Sequence, residues 1–292
     1  MQDLTLENTY RDCKNRTRQH YENFPVASWF LPRRIRQAIM LIYTFARNAD
    51  DFADEGEHSK EQRLKLLDDY DQKLTTLTQQ NDDPFFQALG QTIKAHNLSI
   101  QHFHDLITAF KQDVTITRYS NFNEILNYCR YSANPVGRLL LQLYKVDTQT
   151  ALAASDNICT ALQLINFYQD LAQDFDEHQR IYIAEDEMYH LNITASHFKN
   201  KISDTNMQKL MQQQVTRAQD MLLSGYPLSR LIPGRMGFEL KLVIEAGYRV
   251  TEKLLRHHGD VFARPRLTRL DGLIILWRAF FARSNKQKAN DS

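Results

Sequence analysis

Aspartates recur every four residues in two separate stretches of this sequence, and each stretch lies in an otherwise apolar segment. Residues 47–55 read RNADDFADE, and residues 163–174 read QLINFYQDLAQD. At about 100° per residue, the polar side chains of each stretch fall on one stripe of a helix, about 60° wide in the first and about 80° wide in the second. The first stripe consists of Tyr43, Arg47, Asp50 and Asp54, and the second consists of Gln163, Asn166, Asp170 and Asp174.

These residue types suit a divalent cation and a phosphate group. Carboxylates and amides on a helix that is apolar over most of its circumference are costly to bury unless something compensates for them. Mg²⁺ takes hard oxygen ligands, often one or two carboxylates plus phosphate oxygens of the substrate. Arg47 either forms an ion pair with Asp50 or holds a diphosphate through its planar guanidinium. One such stretch alone is more often a solvated helix end, but the two together predict a site for Mg²⁺ and a diphosphate.

Long helices must position both stripes, because the chain is poor in residues that form turns. Only 9 Gly and 7 Pro occur among 292 residues, and average usage is roughly 7% and 5%. No strand-like alternation extends beyond four residues, and no low-complexity linker divides the chain. The sequence predicts a single all-α domain over residues 1–292, with a kink at Pro135. The predicted helices are Arg34–Phe52, Lys60–Leu77, Pro84–His96, Ser99–Phe110, Phe122–Leu143, Ala151–Phe175, Ser203–Leu223, Arg235–Arg256 and Leu270–Arg283.

Composition excludes several other classes of protein. The 36 Lys and Arg residues balance 35 Asp and Glu residues, so the chain has no basic footprint for nucleic acid. The N-terminal residues lack the apolar core of a signal peptide, and no run approaches the roughly 18 apolar residues of a membrane span. Cys13, Cys129 and Cys159 are scattered and predict reduced thiols in a cytoplasmic protein. No glycine-rich dinucleotide fingerprint occurs.

Several motifs together resemble the squalene/phytoene synthase family of head-to-head prenyl synthases. The two aspartate motifs, YTFARNADDFADE and LQLINFYQDLAQDF, are joined by RIYIAEDE at 180–187, YCRYSANPVGRLLL at 128–141 and EAGYRVTEKLL at 245–255. The resemblance extends from about residue 20 to about residue 260. It implies an all-α bundle of the isoprenoid synthase type around a central cavity. In that family two aspartate-rich helices face each other across the cavity and bind Mg²⁺ and prenyl diphosphate.

The resemblance also implies roles for individual residues. Asp50 and Asp54 match the first aspartate pair of the family, and Asp170 and Asp174 match the second. Asn166 and Gln163 match the amides that precede the second pair by one and two turns, and Tyr43 and Arg47 match residues on the diphosphate side of the first helix. The remaining matches are the cavity tyrosines Tyr128, Tyr182 and Tyr248 and the basic residue Arg180 beyond the second motif.

Gln169 departs from the pattern of many members, which have arginine directly before the first aspartate of the second motif. The missing charge should weaken the grip on a second diphosphate. The stretch ENFPVASWFLPRR at 22–34, the NFYQD form of the second motif and the C-terminal run resemble the hydroxysqualene synthase branch of hopanoid pathways. That branch takes presqualene diphosphate, which carries one diphosphate, and adds water after ionisation. A condensing enzyme that joins two prenyl diphosphates is an alternative, and a non-catalytic helical assembly module is another.

The C-terminal run RPRLTRLDGLIILWRAFFAR combines cations with large apolar residues. It predicts either a helix at an anionic membrane surface, in peripheral contact with lipid, or a final helix packed on the core. The cations are Arg264, Arg266, Arg269, Arg278 and Arg283, and the apolar residues are Leu273, Ile274, Leu276, Trp277, Phe280 and Phe281.

Overall fold

The computed structural model describes residues 33–77, 82–232, 234–256 and 259–282. Within these ranges the chain is helical and contains no strand, as the sequence predicts. In chain order the helices are α1 Arg33–Asp54, α2 Lys60–Thr75, α3 Pro84–His96, α4 Gln101–Thr115, α5 Phe122–Ser132, α6 Asn134–Tyr144, α7 Gln149–Gln169, α8 Leu171–His178, α9 Glu185–His190, α10 Ala195–Lys199, α11 Thr205–Ser224, α12 Leu228–Leu231, α13 Arg235–Arg256 and α14 Arg269–Trp277, after which a π-helical turn covers Arg278–Ala282. Cys13, Arg283 and nearly all of the stretch 22–34 lie outside the described residues.

A first compact unit comprises the described residues up to Ile116 together with Arg130–Thr148. In this unit α1 packs against α2, α3, α4 and α6. Phe45 of α1 is fully buried, stacks on Tyr70 with ring centroids 4.9 Å apart and meets Phe103 edge-on at 5.1 Å. Aromatic pairs in these geometries add stability beyond the burial of their area. The side of α1 that faces this core is therefore fixed, and this fixes the direction of its polar stripe.

The C-terminal end of α1 is held by α2. The Arg63 guanidinium donates to the carbonyl oxygens of Ala53 and Glu55, each at 2.9 Å, and of Gly56 at 2.8 Å. The last carbonyls of a helix lack partners within the helix, so Arg63 satisfies groups that would otherwise need water. Gly56 has a φ of +75°, which favours glycine and ends the helix. These contacts stabilise the turn that carries Asp54.

A second compact unit comprises Thr117–Cys129 and the described residues from Gln149 onward. In it α7 packs against α8, α11, α12 and α13. The approach is close at Gly247 of α13, where an added Cβ would lie 2.8 Å from Cδ2 of Leu162 on α7. Glycine at this position lets the backbone of α13 reach the helix that carries the second aspartate motif.

The prediction of a single domain is not tested by the division into two compact units, and it stays a prediction.

Two predicted long helices are interrupted in the structure. The helix predicted over Phe122–Leu143 ends at Ser132 and restarts at Asn134, because Pro135 has no N–H and fits only the first turn of the new helix. The helix predicted over Ala151–Phe175 is wrong at one residue, Asp170, where φ is −104° and ψ is 17°.

Candidate active site

The first aspartate stripe is organised by the guanidinium of Arg47. Its Nη1 lies 2.6 Å from Oδ2 of Asp50, its Nε lies 2.8 Å from Oδ1 of Asp51, and its Nη2 lies 2.5 Å from Oε1 of Glu55. One cation therefore faces three carboxylates on the same helix and the turn that follows it. The ion pair between Arg47 and Asp50, one of the two roles that the sequence offers for Arg47, is present. The contact of Arg47 with Glu55 was not predicted from the sequence.

The carboxylate charge of this stripe exceeds what Arg47 neutralises. Burial raises the pKa of Asp50 to about 6 against the lowering effect of Arg47, and the charges of Asp54, Asp51 and Glu55 raise it further. Burial likewise raises the pKa of Tyr43, which lies one turn before Arg47. A cation bound at Asp50 would be attracted by the carboxylate charges that Arg47 alone does not neutralise.

The second aspartate stripe straddles the break between α7 and α8. Hydrogen bonds of helical spacing continue across the break, from Asp170 N to Asn166 O at 3.0 Å and from Asp174 N to Asp170 O at 2.8 Å. The backbone direction is therefore largely kept, although Asp170 itself leaves the helical conformation. Side chains of Gln163, Asn166, Asp170 and Asp174 are all partly exposed. A carboxylate at a helix break is less constrained by its neighbours than one inside a helix.

Asp170 is contacted by an arginine from the far end of the chain. Nε of Arg264 lies 2.5 Å from Oδ1 of Asp170, and its Nη2 donates to Oδ2 at 3.1 Å. This is the two-bond geometry in which guanidinium binds a carboxylate most specifically. The sequence reading placed Arg264 among the cations of a membrane face and missed this contact. The positive charge of the run Arg264–Pro265–Arg266 was the only feature of the sequence that could have indicated a carboxylate partner. Nothing in the sequence indicates that this partner is Asp170.

Gln169 holds the backbone next to that arginine. Its Nε2 donates to the carbonyl oxygen of Pro265 at 2.8 Å. On the other side, Nζ of Lys253 on α13 donates to the carbonyl oxygen of Arg266 at 2.7 Å. The segment Ala263–Leu267, which we call the connector, is therefore tied both to the second aspartate motif and to α13.

Two of the predicted cavity tyrosines lie in one buried aromatic cluster. Tyr128 of α5 and Tyr182 are 5.7 Å apart between ring centroids, and each is less than 7% exposed. Phe167 of α7 stacks on Tyr182 at 3.7 Å with an angle of 4° between the rings. Tyr119 completes the cluster at 5.9 Å from Tyr128 and 5.8 Å from Tyr182. Phe167 and Tyr119 were not predicted from the sequence as members of this cluster. Helical spacing does not show that the loop residues Tyr119 and Tyr182 pack against α5 and α7.

Two further predicted site residues have local partners. Arg180 is buried, and its backbone N–H donates to the carbonyl oxygen of Asp174 at 3.0 Å. This bond closes the C-terminal end of α8 and places Arg180 next to the second motif. Tyr248 lies on α13 with its ring centroid 6.0 Å from the guanidinium carbon of Arg278, and it is not part of the aromatic cluster described above.

The donor sets fit Mg²⁺ better than a metal that needs a closed protein cage. Nowhere in the described ranges do three or more His, Cys, Asp or Glu side chains converge as a metal cage. Mg²⁺ is usually bound by one or two carboxylates together with water and substrate phosphates. Burial is the main cause of the raised pKa of Asp50, and the carboxylates of Asp54, Asp51 and Glu55 add to it, so a bound cation would stabilise the charged form of Asp50. In the first stripe Asp50 and Asp54 are the residues that would hold such an ion, and in the second stripe they are Asn166, Asp170 and Asp174.

Comparisons with known proteins show which family and which fold this chain shares. The squalene/phytoene synthase family model matches residues 17–271. A hydroxysqualene synthase of Zymomonas mobilis is 36% identical over 239 residues, which cover 81% of this chain and 80% of that protein. A hydroxysqualene synthase of Rhodopseudomonas palustris is 33% identical over 80% of this chain and 79% of its own length. The crystal structure of a squalene synthase from Alicyclobacillus acidocaldarius superposes with a TM-score of 0.80 at 32% identity, covering 87% of this chain and 95% of that one.

The helical fold and the aspartate motifs define an isoprenoid synthase, an enzyme that acts on prenyl diphosphates. The chain belongs to the squalene/phytoene synthase family. This confirms the class of enzyme predicted from the sequence and removes the alternative of a non-catalytic assembly module. The roles of the individual site residues stay predictions.

Proposed function

We propose that this enzyme converts presqualene diphosphate to hydroxysqualene with the help of Mg²⁺. The observation that carries the proposal is the similarity over four fifths of the chain to two hydroxysqualene synthases. The role of Gln169 supports it, since its amide holds a backbone carbonyl where many relatives have a cation. Without that cation the second motif has less to offer a second diphosphate.

The reaction begins with heterolysis of the carbon–oxygen bond to the diphosphate, whose oxygen keeps the electron pair. Mg²⁺, when bound, supplies positive charge that stabilises this leaving group. In this proposal Arg47 of the first motif and Arg180, which follows the second motif, would add hydrogen bonds to the diphosphate as the charge develops. To bind Mg²⁺, Asp50 would give up part of its contact with Arg47, and Asp170 would give up part of its contact with Arg264. The protein's own arginines then become available for the diphosphate.

The carbocation that remains needs aromatic, water-poor surroundings until it is captured. Tyr128 and Tyr182 lie in a cluster of four buried rings, and ring faces attract cations. Tyr248 is the third ring expected to face the cation. One water then adds to the cation, forms the new carbon–oxygen bond and loses a proton to give the hydroxyl group. Substrate and water thus become hydroxysqualene and diphosphate.

The test is to supply presqualene diphosphate and farnesyl diphosphate separately, each with Mg²⁺ and detergent, and to identify the products. We expect hydroxysqualene from presqualene diphosphate, with the hydroxyl oxygen taken from ¹⁸O-labelled water. The variant Asp50→Asn should lose turnover. The matched control is Asp68→Asn, which changes a 66% exposed aspartate on α2 and should keep it. Presqualene diphosphate, squalene or phytoene formed from two prenyl diphosphates, with no hydroxysqualene, would overturn the proposal in favour of the condensing alternative.

We also propose that the enzyme is cytoplasmic and meets the membrane surface without crossing it. Its substrate and product are long apolar molecules that partition into lipid. None of the helices in the described part of the chain is long and apolar enough to cross a bilayer. Access to lipid would therefore require a surface that lies on the membrane.

A further inference from the structure

The C-terminal helix exposes a continuous face of large apolar side chains. Leu270 is 71% exposed, Leu273 64%, Leu276 43%, Trp277 59%, Phe280 61% and Phe281 65%. We call these six residues the C-terminal ridge. On a helical projection they fall within an arc of about 140°, because their spacing of three and four residues returns to the same side.

The ridge is outward because the opposite side of the helix is held in place by charge. Asp271 is 2% exposed and lies 2.7 Å from Nε of Arg249 and 2.6 Å from Nζ of Lys253, both on α13. Its Oδ2 also accepts from the backbone N–H of Thr268 at 2.7 Å, which closes a capping box at the start of the helix. Hydrogen bonds from Lys253 and Arg249 keep the pKa of Asp271 well below its usual range.

This arrangement differs from that of an ordinary surface helix, which buries its apolar stripe. The buried side carries Asp271 together with Ile275 and Ala279, whereas the six large apolar residues of the ridge lie on the outside. Two turns further on, Arg278 donates to Glu252 of α13 at 3.0 Å and keeps the same orientation. The sequence left open whether the final helix packs on the core or lies at an interface. In the described residues the side that carries Asp271 packs on α13, and Phe280 of the ridge also contacts α13, with its ring centroid 4.5 Å from that of Phe238.

The ridge is also large. At roughly 200 Å² for each large apolar residue, the exposed fractions amount to an area on the order of 700 Å², above the few hundred Å² usual on a soluble monomer. Elsewhere in the described residues, exposed large apolar side chains are spread over several elements, such as Tyr189 of α9 and Leu231 of α12. A patch of this size on one helix indicates a binding surface.

Cations flank the ridge where it begins. Arg266 and Arg269 are exposed, and Arg269 falls within the same arc as Leu276 and Phe280. Beyond the described residues the sequence adds Arg283, Lys286 and Lys288. Arginine and lysine beside leucine, phenylalanine and tryptophan are typical of helices that lie in the headgroup region of an anionic bilayer. A protein partner would need its own apolar face but would not require cations beside the ridge.

We propose that the C-terminal ridge docks on the surface of an anionic lipid bilayer, with α14 parallel to the membrane plane. The inference rests on the proposed function only in that a lipid-like substrate requires access to the bilayer. The connector leads directly from α14 to Asp170 through Arg264. The docking surface and the second aspartate motif are therefore joined by one short, tethered segment within the same unit.

Trp277 provides a direct test, because it belongs to the ridge and the chain has only one other tryptophan, Trp29. In the full chain carrying Trp29→Phe, phosphatidylcholine vesicles that contain phosphatidylglycerol should shift the emission of Trp277 to the blue, and vesicles without it should do so much less. Flotation with the vesicles should fall as salt rises. The double variant Leu273→Ser and Phe281→Ser, at residues that are 64% and 65% exposed, should weaken binding by about tenfold or more. Tyr189→Ser, at an 80% exposed residue of α9, is the matched control and should bind as before.

Two results would overturn the docking proposal. One is a chain that binds no vesicles and forms a dimer, while the double variant is a monomer. This result would mean that the ridge is the interface with a second copy of the chain. The other is a chain that binds no vesicles and whose double variant melts at a lower temperature than the wild type. This result would mean that a part of the chain outside the described residues covers the ridge. Circular dichroism checks that each variant folds. Docking is measured without turnover, whereas the proposed function fails on products formed in detergent, so the two failures are distinguishable.

Discussion

Replacing Asp50 by asparagine should abolish turnover and at the same time stabilise the metal-free protein above pH 6. Burial, together with the charges of Asp54, Asp51 and Glu55, raises the pKa of Asp50 from 3.8 to about 6. The folded chain therefore holds this proton more tightly than the unfolded chain. Stability is lost as the pH rises from 3.8 toward about 6, and the whole loss is present above that pH.

The magnitude follows from the size of the shift. A raised pKa of about two units corresponds to about 3 kcal/mol at 1.36 kcal/mol per unit. The side chain of Asp50 is 38% exposed, so solvent screening reduces the effect, and we expect about 1 kcal/mol. Asparagine has nearly the same shape and no charge, and Arg47 keeps its contacts with Asp51 and Glu55. The gain should therefore come from the removed charge alone.

The assay is urea unfolding of the wild type and of Asp50→Asn at pH 8 and at pH 4, without divalent metal. The variant should be more stable at pH 8, and the difference should shrink toward zero at pH 4. Mg²⁺ with diphosphate should raise the melting temperature of the wild type and have little effect on the variant. A variant that is less stable at pH 8, or a difference that does not change with pH, would refute the argument that burial and the neighbouring carboxylates destabilise the charged form of Asp50.

Three other substitutions test other parts of the structure. Asp271→Asn should lower the free energy of unfolding by about 3 kcal/mol, since two cations lose their shared partner; urea unfolding measures it, and a change below about 0.5 kcal/mol would contradict the anchoring role. Gly247→Val should cost about 2 kcal/mol or more, because its Cβ would meet Leu162; an unchanged melting temperature would show that α13 can move away. Gln169→Arg should raise condensation of two farnesyl diphosphates relative to hydroxysqualene formation, and an unchanged product ratio would make this residue incidental.

The sequence predicted the helices well because their apolar spacing is a local property. Pro84–His96 and Arg235–Arg256 begin and end where the sequence predicts. The break at Asp170 was not predictable, because the apolar residues Leu164, Ile165, Leu171 and Phe175 keep a helical spacing across it. The partners of the motif residues were also hidden. Arg264 reaches Asp170 across 94 positions of sequence, and no local pattern encodes a contact that depends on how α13 and the connector pack.

The same holds for the site and for the C-terminal helix. Helical spacing correctly placed Arg47 beside Asp50, whereas the cluster around Tyr128 and Tyr182 needed the tertiary fold to add Phe167. The amphipathic character of residues 270–281 was visible in the sequence, but its direction was not. The buried ion pairs of Asp271, together with the burial of Ile275 and Ala279, show which side of that helix faces outward.

The tie between Gln169, Asp170 and Arg264 has a consequence for hybrids made by exchanging segments with related enzymes. Any crossover placed between positions 170 and 263 separates residues that act together. A hybrid that inherits arginine at 169 along with Arg264 would crowd two guanidinium groups around one carboxylate. A hybrid that keeps Gln169 but loses Arg264 would strip Asp170 of its guanidinium and release the connector at one end. Functional recombinants should therefore be found mainly among those that take both positions from the same parent.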